Sequence, residues 1–96
     1  MENAVNTSQT LSLIKLHAVI FLVFTLIYAV IDFEKHFQTS PANIVYFSTT
    51  VHTSVGFGDI TPKTHLGKAI VSLHMLLSFV ATLFVLERVD ADLNRR

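Results

Sequence analysis

Two long apolar stretches, at residues 11–31 and 66–86, limit what this chain of 96 residues can fold into. A helix of this length would span roughly 31 Å, close to the ~30 Å hydrocarbon thickness of a bilayer. Hydrophobic residues make up 51% of the sequence, and a soluble domain this small would have difficulty burying so much apolar surface. The sequence therefore predicts an all-α membrane protein with two transmembrane helices and a single domain over residues 1–96.

The segments outside these two stretches are polar. Residues 1–10 hold Asn, Thr, Ser and Gln, and we expect them to form a frayed end. Residues 32–40 carry charges of both signs, which indicates an exposed turret, and residues 87–96 form a charged tail. More basic residues flank the ends of the sequence than the segment between the stretches, which favours cytoplasmic termini. They are Lys15, Arg88, Arg95 and Arg96 towards the ends, and Lys35 and Lys63 between.

A short helix is predicted between the two apolar stretches, at residues 41–53. Ser40 is a favourable N-cap, and Pro41 suits the first helical position. The segment is too short to cross a bilayer. A re-entrant helix of this kind is tolerated at membrane depth only where protein surrounds it, so we expect it to lie inside an assembly.

The sequence that follows this helix, at residues 53–59, reads Thr-Ser-Val-Gly-Phe-Gly-Asp. Gly56 and Gly58 can adopt left-handed backbone conformations without a Cβ clash. A chain with that freedom can direct successive carbonyl oxygens towards one axis. Carbonyl rings contributed by several chains replace the water of a dehydrated potassium ion in a selectivity filter. A Gly-aromatic-Gly run is weak evidence alone, and its position between two membrane-length stretches makes this interpretation specific.

The order of these segments resembles the pore module of potassium channels, over nearly the whole sequence. No voltage-sensor sequence accompanies the module, an economy similar to that of the miniature potassium channels encoded by large algal viruses. The runs that carry the resemblance are residues 52–59, 62–63, 67–69 and 74–76. The resemblance implies a homotetramer with a re-entrant pore helix at 41–53, a filter at 54–58 and K⁺ as the permeant ion. The implied filter residues are Ser54, Val55, Gly56, Phe57 and Gly58, with K⁺ bound at the first four.

The resemblance also implies two further groups of site residues. Asp59 would form a carboxylate ring at the outer mouth, or accept a hydrogen bond from Tyr46, and the two roles are compatible. The inner cavity and gate would be formed by one part of the second spanning helix, with the residues Ser78, Phe79, Thr82 and Leu86. The last three share one helix face, which could instead be a lipid-facing or core stripe.

The sequence departs from the family pattern at three positions. Ser54 stands where most members have Thr, which keeps the hydroxyl and loses the methyl group that restrains χ1. Thr50 stands where some have a buried Glu, and Ser78 where many have a hinge Gly. Ser78 could instead hydrogen-bond the carbonyl oxygen of His74 and bend the helix, which would swing Phe79 towards the pore axis. We expect gating to depend on that bend.

The five histidines show no metal-ligand spacing. His52, at the end of the pore helix, is interpreted as a buried, hydrogen-bonded residue in preference to a proton sensor. His74 is interpreted as a neutral side chain packed against the first spanning helix. We expect His17, His36 and His65 to be interfacial or exposed.

Several functional classes remain to be weighed against a potassium-selective channel. The chain could be a weakly selective monovalent cation channel, or a non-conducting two-helix subunit that modifies a host channel. An enzyme is disfavoured, because the sequence has no nucleophile–base pair, phosphate loop or metal cluster. The formal net charge is zero, and no basic stripe suggests nucleic acid. We expect no cofactor. The expected partners are membrane lipid and K⁺, and the expected location is a host-cell or virion membrane.

Overall fold

The computed structural model describes the backbone of residues 2–94 and the side chains of residues 9–94. Arg95 and Arg96, which entered the prediction of orientation, lie outside the described residues. Within the described part the regular secondary structure is helical and contains no strand. It consists of α1 (Glu2–Val30), α2 (Phe33–Phe37), a 3₁₀ turn (Pro41–Asn43), α3 (Ile44–His52) and α4 (His65–Asn94).

Helices α1 and α4 form an antiparallel hairpin, and α2 and α3 pack against it. The molecule measures 51 × 18 × 18 Å, so its length is that of the two long helices. Both contain a segment long and apolar enough to cross a membrane, Gln9–Val30 in α1 and His65–Asn94 in α4. The prediction of two transmembrane helices agrees with this.

Both long helices extend beyond the apolar stretches at 11–31 and 66–86. The expected frayed end at residues 1–10 is wrong, since α1 is helical from Glu2. The described part of the charged tail, residues 87–94, is helical and continues α4. Neither extension contains Gly or Pro, so nothing in the local sequence stops a helix that has already formed. Hydropathy locates the membrane-buried part of a helix and not its ends.

The core of the chain is a cluster of aromatic rings between the hairpin and the short helices. Tyr28 of α1 is fully buried, and its ring centroid lies 5.4 Å from that of Phe47 in α3. Phe37 lies 4.7 Å from Phe47 and stacks on Phe33 at 4.5 Å. Edge-to-face and offset arrangements at these distances add stability beyond that of burial. The cluster fixes α3 against α1, and so sets where the segment after α3 begins.

The expected exposed turret at residues 32–40 is wrong in its first half. Residues Phe33–Phe37 form α2, with Phe33 and Phe37 each 2% exposed. Asp32 caps this helix, accepting a hydrogen bond from the Lys35 amide at 3.3 Å. Polar residues in this segment occupy the solvent side while the two phenylalanines complete the core. The charges in this segment led to the prediction of exposure, because its apolar residues are few.

His36 is buried, contrary to the expectation that it is interfacial or exposed. Its imidazole Nδ1 is hydrogen-bonded to the Thr64 hydroxyl, and its carbonyl accepts the Lys63 amide at 2.8 Å. The Thr64 Oγ1 also accepts the amide of Gly67 at 3.1 Å, in the first turn of α4. This set of contacts joins α2 to the start of α4. Ser40 accepts the Ala42 amide at 3.1 Å, and Pro41 opens the 3₁₀ turn, as the sequence predicted.

We expect Phe37→Ala to destabilise the purified protein by about 3–5 kcal/mol, because it leaves a cavity in the aromatic cluster. Val30→Ala is the matched control, since Val30 is 82% exposed and its truncation leaves no cavity. Denaturant unfolding in detergent micelles measures both variants. Equal unfolding midpoints for Phe37→Ala and Val30→Ala would show that the cluster is not the core.

Candidate functional site

The segment after α3 has a backbone of alternating hand. Helix α3 ends at His52, and the amide of Thr53 still bonds to the Thr49 carbonyl at 3.0 Å. From there φ is positive at every second residue: 66° at Ser54, 52° at Gly56 and 83° at Gly58. Left-handed φ was expected at the two glycines, and Ser54 is a third position that the sequence did not indicate. This conformation is uncommon in residues other than Gly, Asn and Asp.

Two consecutive amides of this segment converge on one acceptor. The N–H groups of Val55 and Gly56 both donate to the carbonyl oxygen of Thr50, each at 3.0 Å. Alternating right- and left-handed residues direct successive N–H groups to one side and form a nest. The carbonyl oxygens of the same peptide units then point away from α3. Thr50 itself is buried, and its hydroxyl donates to the Phe47 carbonyl at 2.9 Å.

The two glycines are selected by backbone conformation and not by crowding. A Cβ added to Gly56 or to Gly58 would meet no atom of the chain within 4 Å. The cost of another residue there would come from its left-handed φ, roughly 1–2 kcal/mol per residue. Ser54 already has this strained conformation. The hydrogen bond from the Ser54 amide to the Val51 carbonyl oxygen, at 3.1 Å, helps to hold it.

Asp59, Tyr46 and Phe57 interact at the far end of the segment. The Tyr46 hydroxyl donates to Asp59 Oδ2 at 2.7 Å. The rings of Tyr46 and Phe57 are nearly parallel, at 6° and 6.3 Å between centroids. The hydrogen bond to the Asp59 carboxylate raises the pKa of Tyr46 above its usual range, so the phenol stays protonated and keeps donating. This contact ties α3 to the end of the segment.

An open groove runs between this segment and α4. Ser54, Gly56 and Thr50 line one wall, and Met75 and Phe79 are among those lining the other. Phe79 is 57% exposed. The face of α4 that carries Phe79 therefore lies beside the start of the segment. Thr82 and Leu86 are also exposed on α4, further along the same face.

The expected bond from Ser78 to the His74 carbonyl is not among the contacts of the described residues. Ser78 is buried, and its Oγ lies 3.0 Å from Nδ1 of His52. The hydroxyl that bonds one turn back along α4 is that of Thr82, at 2.9 Å from the Ser78 carbonyl. The predicted hydrogen bond between Ser78 and the His74 carbonyl was wrong, because the prediction considered α4 alone and left out the imidazole of His52.

Three histidines meet behind the segment, on three different helices. Nδ1 of His17 lies 3.0 Å from Nε2 of His52, whose Nδ1 lies 3.2 Å from Nε2 of His74. His74 is fully buried, its Nδ1 is 2.9 Å from the Tyr28 hydroxyl, and it stacks on Phe24 of α1. The interpretation of His74 as packed against α1 agrees with these contacts. His17 is half-buried and partnered, and the described residues contain no group of three ligands placed to hold a metal.

Comparison with known proteins agrees with this geometry. Residues 16–93 match a family model described as an ion channel. The chain belongs to the ion channel family. It is also 34% identical over 77 residues to the potassium channel protein kcv of Paramecium bursaria Chlorella virus 1, covering 71% of this chain and 82% of that protein. These two findings place it with the miniature viral potassium channels, as the sequence motifs predicted. No solved structure matched the channel.

Sequence reasoning missed two features of this channel. The first is the Thr50 carbonyl, because a backbone acceptor leaves no mark in the side-chain pattern. The second is the histidine trio, because its members come from three helices, and the hydrogen-bonded partners are 35 and 22 positions apart in the sequence. A signal existed in part: His74 falls in the second apolar stretch, where an imidazole requires a polar partner.

We expect Tyr46→Phe and Asp59→Ala to lower the thermal stability of the channel in micelles non-additively. Either change removes the hydrogen bond between the two side chains, so the double variant should be no less stable than the less stable of the two single variants. Tyr46→Phe combined with Asp90→Asn is the control, since Asp90 lies near the far end of α4 and distant changes add. Additive losses in the Tyr46–Asp59 pair would contradict the assigned contact.

Proposed function

We propose that this chain assembles as a homotetramer that conducts K⁺ selectively through filter residues 54–58. The observation that carries the proposal is the pair of amides, from Val55 and Gly56, on the single carbonyl of Thr50. With the amides held on the pore-helix side, the carbonyls are left to face the opposite side. Rings of carbonyl oxygens are what a potassium filter uses to replace the hydration shell of the ion.

Several chains are required because one filter strand supplies only one side of a carbonyl cage. Val55 and Phe57 are 55% and 67% exposed in the single chain, at a segment with irregular backbone. In a membrane, such backbone is tolerated only where protein covers it or where it lines water. Copies arranged around a common axis would satisfy both conditions. The groove between Ser54 and Phe79 would then be bounded by a neighbouring subunit.

The pore helix would add a favourable field at the inner end of the filter. The C-terminus of a helix carries about half a negative charge, and α3 ends at His52, two residues before Ser54. Phe79, Thr82 and Leu86 would line the inner cavity below it, with Asp59 at the outer mouth. In this proposal the termini lie on the cytoplasmic side of a host-cell or virion membrane.

Weak selectivity among monovalent cations is the alternative that one observation favours. Ser54 has a positive φ and lacks the methyl group of Thr, so the innermost hydroxyl ring is held less firmly. The second alternative is a subunit that only modifies a host channel. Such a subunit would give no current by itself.

Purified protein in a planar bilayer under a potassium–sodium gradient should give a reversal potential near that of potassium. Gly56→Ala should abolish the current, because four strained copies cost roughly 4–8 kcal/mol in total. Thr61→Ala, in the exposed turn after the filter, is the control and should conduct. A reversal potential midway between those of the two ions supports weak selectivity. No current from the parent protein would refute the channel proposal.

A carboxylate ring at the outer mouth predicts a salt-dependent effect. Asp59→Asn should lower the conductance most in dilute salt and little in concentrated salt, because the screening length falls from about 10 Å at 0.1 M to about 3 Å at 1 M. Tyr46→Phe removes the hydrogen bond to Asp59 and keeps the carboxylate charge, so it should not show this salt dependence. Conductance measured across a range of symmetric KCl concentrations separates the two. Parallel losses in both variants at every concentration would leave Asp59 a structural role only.

A further inference from the structure

A pocket lies at the open end of the hairpin, where α1 begins and α4 ends, and the proposed ion pathway does not use it. Its volume is about 380 Å³, which falls in the usual range for small-molecule sites. Its walls combine one carboxylate, one guanidinium and one side-chain amide with apolar side chains. Among the residues that line it are Gln9 and Leu13 of α1, and Phe84, Glu87 and Arg88 of α4.

Two opposite charges line this pocket, and neither is matched within the described part of the chain. Glu87 and Arg88 are consecutive on α4, and consecutive residues of a helix do not face each other. Neither forms an ion pair with another described residue. The Oε1 atom of Gln9 is buried and also lacks a hydrogen-bond partner among the described residues. The pocket therefore offers a ligand one cationic donor, one anionic acceptor and one neutral acceptor.

The order of these residues along the two helices matches the edge of a membrane. Gln9 is the first residue of the membrane-length segment of α1, and Glu87 directly follows the apolar stretch at residues 66–86. The apolar side chains of Leu13 and Phe84 lie about one helical turn, or about 5.4 Å, further towards the middle of each helix. A ligand that matches this pocket is polar at the membrane surface and apolar below it, as a phospholipid is.

The pocket opens on the side of α4 that faces away from the proposed pore. At 3.6 residues per turn, the mean direction of Phe84, Glu87 and Arg88 is roughly 160° around the helix from that of the proposed cavity-lining residues. The outer side of each subunit in a tetramer contacts lipid. The assignment of this side to lipid rests on the proposed function.

The two charges select among phospholipid headgroups. A guanidinium such as that of Arg88 can donate two parallel N–H groups to phosphate oxygens. The Glu87 carboxylate attracts an ammonium and disfavours a headgroup that is only anionic. A primary ammonium has three N–H donors, whereas a quaternary ammonium has none, so only the primary one can also donate to Gln9 Oε1. We propose that this pocket binds a phospholipid with a phosphoethanolamine headgroup, its phosphate on Arg88 and its ammonium on Glu87 and Gln9.

The test is the thermal unfolding of the purified channel in nonionic micelles with added phosphatidylethanolamine, phosphatidylcholine or phosphatidylglycerol. A lipid that binds the folded chain raises the unfolding midpoint in proportion to its affinity and concentration. Titration of each lipid should show phosphatidylethanolamine binding about ten-fold tighter than the other two, the effect of one charge-assisted hydrogen bond. Equal affinities for the three lipids would overturn the proposal.

Two variants separate the two charges. Glu87→Ala removes the carboxylate partner of the ammonium, so the ratio of affinities for the ethanolamine and choline lipids should approach one, and phosphatidylglycerol should bind tighter than to the parent. Arg88→Ala should weaken all three lipids, because all carry the phosphate. Asp90→Ala and Lys15→Ala are the controls, since they remove exposed charges of the same two signs outside the pocket lining. An unchanged headgroup preference in Glu87→Ala would contradict the assigned contacts.

Water-soluble phosphoethanolamine distinguishes a lipid from a free phosphate ester. It carries the same charged groups and leaves Leu13 and Phe84 uncovered, so it should raise the midpoint far less than the lipid does at equal concentration. An equal rise would refute the lipid as the ligand. None of these measurements needs a current. A chain that shows the headgroup preference and does not conduct refutes the channel function alone, whereas a conducting chain without the preference refutes the lipid site alone.

Discussion

The structure depends on where α3 ends. The amides of Val55 and Gly56 can share the Thr50 carbonyl only if the helix stops at His52 and the chain reverses its hand at Ser54. That end is set by packing elsewhere, because Phe47 is fixed in the aromatic cluster with Tyr28 and Phe37. A buried core formed by the short helices thus controls the geometry of exposed filter residues. The same cluster explains why the segment before the pore helix is folded onto the hairpin.

The sequence predicted the architecture of this channel because its two strongest signals are physical requirements. Membrane-length apolar helices and left-handed glycines at Gly56 and Gly58 follow from the bilayer and from backbone sterics. The helix ends could not be predicted, since the charged residues after Leu86 are compatible with helix and with coil. The burial of His36 and of α2 could not be predicted either, because a few aromatic residues decide it within a polar segment.

Residue contacts between helices were the least predictable part of the site. The Ser78 hypothesis treated α4 as an isolated helix, in which the only acceptors within reach are its own carbonyls. In the folded chain the imidazole of His52, from α3, lies within hydrogen-bond distance of that hydroxyl, at 3.0 Å. Tyr46 and Asp59 were paired correctly from the family resemblance, which carries such cross-element information. Where the family pattern is silent, as for the histidine trio, local sequence rules supply no partner.

Among the described side chains, the hairpin interior satisfies its buried polar groups within the chain except for Gln9 Oε1, as a membrane requires of most of them. Thr25 donates to the Phe21 carbonyl at 2.7 Å and its hydroxyl lies 2.7 Å from Ser48, which is fully buried. Each donor or acceptor without a partner in hydrocarbon costs several kcal/mol, and a hydroxyl bonded to a carbonyl satisfies this requirement simply. Three imidazoles satisfy it less easily, because each ring must present the correct nitrogen to the next. A hydroxyl pair of the Thr25–Ser48 kind joins only two helices. The histidine trio joins α1, α3 and α4 at one place, which a single hydroxyl pair cannot do.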